Sequence, residues 1–93
     1  MKVRQVFPVD DHDWFDLEPG EYYRPKDLRL EGRGQIQLVI MLPNGDAFLV
    51  DRRWTISGDG GTLTISPSLW MSPGAGKPSE WHGWVQNGEL REC

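Results

Sequence analysis

The stretch that most constrains this chain is Gln35 to Arg53, QIQLVIMLPNGDAFLVDRR, in which two apolar runs flank Asn44-Gly45. Asn-Gly between apolar runs is the strongest short-range hairpin signal, because both corners of a type I′ turn need positive φ. A two-residue turn here sets Leu42 opposite Ala47, Met41 opposite Phe48, Ile40 opposite Leu49 and Val39 opposite Val50. Both faces of that hairpin come out apolar. Such a hairpin needs cover on both sides, so it is expected at the centre of the core.

Two further hairpins follow. Trp54 to Ser57 meets Thr62 to Ser66 across Gly58-Asp59-Gly60-Gly61, and Pro67 is expected to end the second strand. Trp81 to Cys93 folds back at Asn87-Gly88, with Ser72 to Ser79 before it as a surface loop. Upstream, Lys2 to Phe7 reads as a short edge strand and Asp10 to Leu17 as a turn or a single helical turn. Glu21 to Arg33 reads as a short strand or extended connection, with Pro25 disfavouring helix at Arg24. Eleven glycines and seven prolines in 93 residues also suit short strands better than helices. The expected fold is all-β with little helix, residues 1–93 forming one domain. Its architecture is a small antiparallel meander, sandwich or partly open barrel built from three consecutive hairpins.

Charge and composition narrow the function. Fourteen acidic against ten basic residues, with no Lys/Arg block, disfavour direct nucleic-acid binding; an acidic surface suits a basic partner, including a host protein that itself handles nucleic acid. One cysteine leaves no internal disulfide, and neither a signal peptide nor a membrane-spanning run is legible, so a cytoplasmic location is expected. Five tryptophans exceed what so small a core needs. Trp14, Tyr22, Tyr23, Trp70 and Trp84, with Arg91, fall in turns, loops or outward faces of this reading, and these residue types are enriched at binding hot spots.

The last hairpin carries the clearest chemistry. Its turn pairs Gln86 with Glu89, Val85 with Leu90, Trp84 with Arg91, Gly83 with Glu92 and His82 with Cys93. Trp81, Val85 and Leu90 then face the core, whereas His82, Trp84 and Gln86 face outward, and Trp84 is placed to stack on Arg91. His82 and Cys93 are two zinc-type ligands on opposed positions, and His12 is a distant third, but a structural zinc needs four and no CxxC or HExxH occurs. A Cys93/His82 nucleophilic pair lacks an orienting third group, and Gly58 to Gly61 lacks the GK[ST] ending of a phosphate loop.

The segment LTISPSLW, followed after a loop by EWHGWVQNGELREC, resembles a family of short phage- and prophage-encoded proteins of unknown function. Their recurring features are a strand ending in SPS, a variable loop, an aromatic or cysteine beside a His, and a strand turning at Asn/Asp-Gly. The resemblance implies a mobile-element origin and, from members with extra cysteines, a link to metal binding; here Trp81 stands beside His82 and Cys93 is the one thiol. The function expected from these readings is a non-enzymatic binding protein that occludes a protein partner, as anti-CRISPR inhibitors do. Alternatives are a metal-binding or enzymatic protein using His82 and Cys93, and a virion structural or scaffolding piece.

Overall fold

The computed structural model describes residues 1–10, 13–71 and 81–92. Its strands are β1 (Arg4–Gln5), β2 (Glu21–Tyr23), β3 (Arg29–Leu30), β4 (Gly34–Gln35), β5 (Leu38–Met41), β6 (Ala47–Val50), β7 (Thr55–Ser57), β8 (Thr64–Met71), β9 (Trp81–Gln86) and β10 (Glu89–Glu92). Two single 3-10 turns, Asp13–Asp16 and Gly60–Thr62, are the helical elements of the described residues. The all-β expectation holds. The strands form two four-stranded sheets, β1-β2-β5-β6 and β10-β9-β8-β7, and the two-stranded ribbon β3-β4, without closing a barrel.

The central hairpin β5-β6 forms as expected but one residue out of register: Met41 pairs with Ala47, Ile40 with Phe48, Val39 with Leu49 and Leu38 with Val50. Pro43 is the reason. A two-residue turn at Asn44-Gly45 needs an N–H from residue 43 to close its ladder, and proline has none. The chain instead makes a three-residue loop in which Gly45 N–H donates to the Leu42 carbonyl at 3.0 Å and Leu42 N–H donates to the Asp46 carbonyl at 2.9 Å. Pro43 fits the first corner of such a turn, and Gly45 takes the left-handed position at φ +88°. At Asn87-Gly88 the flanking residues both have N–H groups, and the two-residue turn forms in the expected register, with φ of 49° and 75°.

Both faces of β5 are covered, as its composition requires. Leu38 and Ile40 join Tyr22, Phe48 and Val50 against Leu63, Ile65, Leu69, Trp81, Val85 and Leu90 of the second sheet. Val39 lies on the other face with Tyr23, Leu28 and Ile36, flanked by Trp14 and Leu17. Fully burying each such aliphatic side chain contributes about 1.5–3 kcal/mol. The first strand ties the sheets together. β1 runs parallel to β2, while Lys2 bridges Glu89 and Val3 N–H donates to the Gly88 carbonyl at 2.9 Å.

Two expectations fail here. Tyr22 and Tyr23 are buried, at 0% and 2% exposure, because β2 is an inner strand between β1 and β5 rather than an open connection. The Tyr22 hydroxyl accepts the Gly60 N–H at 2.7 Å and donates to Asp59 Oδ1 at 3.3 Å; burial raises its pKa above the ordinary tyrosine value and keeps it protonated. Pro67 does not end its strand either, since β8 runs on to Met71. No helix among the described residues is long and apolar enough to cross a membrane.

Candidate active site

β8 contains an insertion that the alternating pattern does not announce. Ile65 pairs with Val85 and Leu69 with Gly83, so Ser66, Pro67 and Ser68 stand opposite Trp84 alone. Three residues against one make a bulge, and bulges re-aim side chains where a ladder is interrupted. The Ser66–Pro67 bond is cis, and all three bulge residues are exposed while Ile65 and Leu69 on either side stay in the core.

The bulge brings Ser68 to His82. Ser68 Oγ lies 3.1 Å from His82 Nε2, a hydrogen-bonded hydroxyl–imidazole pair on the outer face of the second sheet. For the hydroxyl to donate, Nε2 must be bare and the ring proton must sit on Nδ1. This is the geometry of a nucleophile beside its general base. His82 is held outward because its neighbours are held inward. Trp81 is buried and lies across Gly83, where a Cβ would come within 2.5 Å of the Trp81 ring and 2.0 Å of the Arg91 carbonyl oxygen. Glycine is therefore required at position 83. Trp81 Nε1 is buried with no hydrogen-bond partner among the described residues, a cost of about 1–3 kcal/mol accepted for that packing.

A shallow cleft of about 190 Å³ opens beside the pair, between the Ser66–Ser68 bulge on one side and Trp84 and Gln86 on the other. Among the described residues, none that lines it is charged. Trp70, 55% exposed, is the cross-strand partner of His82, and exposed Arg91 is the partner of half-buried Trp84. Three of the six residues expected to bind a partner, Trp70, Trp84 and Arg91, thus gather around Ser68 and His82. Trp14 is half-buried against the other face of the first sheet, and Tyr22 and Tyr23 are core. A cation–π contact joins Arg53 to Trp54, with 5.0 Å between the guanidinium carbon and the ring centroid. The weak metal candidates His12 and Cys93 lie outside the described residues, and the described ones hold no cluster of three or more His, Cys, Asp or Glu side chains suited to a metal.

Two features were missed in the sequence. Ser68 was visible only as the end of SPS, since a strand stopped at Pro67 leaves Ser68 outside the pairing with β9. The other is the buried carboxylate in Asp51-Arg52-Arg53-Trp54. Asp51, 1% exposed, accepts Arg53 N–H at 3.0 Å and both Nε and Nη2 of the Arg53 side chain at 3.0 Å, while Arg33 Nε approaches from the other side at 2.9 Å. Arg33 also donates to the Leu49 carbonyl. The Arg53 hydrogen bonds, aided by Arg33, hold the Asp51 carboxyl far below the usual carboxylate range despite the burial that opposes ionisation. Aspartate accepting the N–H two residues on is a recognisable turn former, so this signal was present.

Residues 32–93, two thirds of the chain, match a family model described as "BubE: Bacterial ubiquitination-like system serine protease (BubE)". The chain belongs to that family, and Asp51, Trp54, Ser68 and His82 all fall inside the matched span. No curated protein and no solved structure matches. The expectation of a non-enzymatic, anti-CRISPR-like occluding protein is overturned by this membership, because the family is described as a protease of an enzymatic system.

Proposed function

We propose that this member of the BubE family is a serine peptidase in which Ser68 is the nucleophile and His82 the general base and acid. The observation that carries the reading is the 3.1 Å contact between Ser68 Oγ and His82 Nε2 on an exposed sheet face. Ser68 Oγ attacks the carbonyl carbon of the scissile bond as its proton passes to His82 Nε2. The tetrahedral adduct then collapses, the carbon–nitrogen bond breaks, and the departing amine takes the proton from His82. Water, deprotonated by the same nitrogen, releases the acyl group from Ser68.

The surroundings suit a polypeptide substrate. The described residues that line the open cleft are uncharged, so it takes a small or uncharged side chain, and exposed Trp70 and half-buried Trp84 offer apolar area beside the pair. Given the family's description, the substrate is a protein of a bacterial ubiquitination-like system, presented as an exposed segment. Digestion of a proteome-derived peptide library, read by mass spectrometry, tests the activity. Cleavage by the wild type that disappears in both Ser68→Ala and His82→Ala is expected. Cleavage that persists in Ser68→Ala refutes the assignment.

A further inference from the structure

The geometry points to Trp54 as a positioning residue for Ser68, an assignment that rests on the reading of Ser68 as the nucleophile. The bulge creates the need. With Ser66, Pro67 and Ser68 all opposite Trp84, this segment cannot complete a regular ladder with β9, and proline removes one donor outright. Trp54 reaches it from the β6–β7 connection, its indole Nε1–H donating to the Ser68 carbonyl at 3.3 Å. One hydrogen bond from each side then brackets Ser68: Trp54 on its backbone and His82 on its hydroxyl.

Trp54 is itself fixed. Its ring meets Phe48 edge-on, with centroids 5.2 Å apart at 88°, and the Arg53 guanidinium covers it. Arg53 is pinned by buried Asp51 through its backbone N–H and two side-chain nitrogens, and Trp54 N–H closes the turn on the Asp51 carbonyl at 3.2 Å. A chain of contacts therefore runs from a buried carboxylate to the exposed Ser68. Reacting groups must be held to a fraction of an ångström, and among the described residues Trp54 and His82 are the side chains that hydrogen-bond Ser68.

The test is the rate of covalent modification of Ser68 by a fluorophosphonate, resolved into the limiting rate kinact and the half-saturating concentration KI. Trp54→Phe keeps an aromatic ring beside Phe48 and Arg53 but lacks the N–H. We expect kinact to fall about tenfold, with KI and the shape of the pH profile unchanged. Replacing Trp54 with benzothienylalanine, which keeps the tryptophan shape and drops the N–H, should reproduce the loss and covers the case in which Trp54→Phe folds poorly. Equal rates in wild type and the benzothienylalanine protein overturn the role of Trp54 while leaving Ser68 as nucleophile. A loss that tracks a lowered thermal midpoint and vanishes on cooling also overturns it. A wild type that is not modified at Ser68 removes the nucleophile itself, and Trp54's role with it.

Discussion

Replacing Asp51 with Asn removes one negative charge from a buried site while keeping the side chain's shape. In the native protein both carboxylate oxygens face arginine nitrogens at 2.9–3.2 Å. An asparagine NH2 would meet those donors with a donor. Breaking a buried ion pair from one side costs about 3–5 kcal/mol when the partner stays buried. Here the Arg53 side chain is 65% exposed and would turn into solvent once the carboxylate is gone, whereas Arg33, at 32%, is the partner left partly buried. The expected cost is therefore at or below the lower end of that range, about 2–3 kcal/mol, out of a total of roughly 5–15 kcal/mol for a domain. Urea unfolding of wild type and Asp51→Asn at neutral pH measures it.

The pH dependence supplies the sign. The folded-state pKa of Asp51 lies below its unfolded value of 3.8, so its contribution is fully present above that value and is lost as pH falls toward the folded pKa. Between the two values the wild type loses about 1.4 kcal/mol per pH unit relative to the variant. The gap between the proteins should be constant from pH 7 to about 5 and should close below about 4. A gap under about 1 kcal/mol at pH 7, or one that fails to shrink in acid, would refute the claim that the ionised carboxylate holds this turn.

Other perturbations follow from the packing. Gly83→Ala forces a Cβ against the Arg91 carbonyl and the Trp81 ring, so β9 must shift; unfolding experiments should show a loss of about 1–3 kcal/mol and a slower reaction at Ser68, and a neutral effect would contradict the packing. Tyr22→Phe leaves the Gly60 N–H without its acceptor and should cost about 1 kcal/mol in the same assay, with the Ser68 reaction rate unchanged.

Local rules read the hairpins well and the long-range pairing poorly. Asn87-Gly88 gave register and faces together, because a two-residue turn between residues that both have N–H groups leaves one solution. At Asn44-Gly45 the same rule erred by one residue, and the cause, the missing N–H of Pro43, stood in the sequence. Tyr22 and Tyr23 were misplaced for a different reason. Nothing local says that a three-residue strand will insert between β1 and β5, and a parallel pairing to β1 depends on how the whole sheet closes. The site lay behind one decision about Pro67. A proline normally marks a strand's end or a bulge, and the bulge is what carries Ser68 to His82. Of the aromatic residues expected on a binding surface, Trp70 and Trp84 lie on the strands that carry Ser68 and His82.

Whether His82 activates Ser68 as a nucleophile is read by intact-mass analysis after incubation with a fluorophosphonate, with the adduct mapped by peptide sequencing. One adduct on Ser68 is expected in the wild type, none in Ser68→Ala and slow formation in His82→Ala. No adduct on the wild type, or an adduct that survives Ser68→Ala, would contradict the assignment.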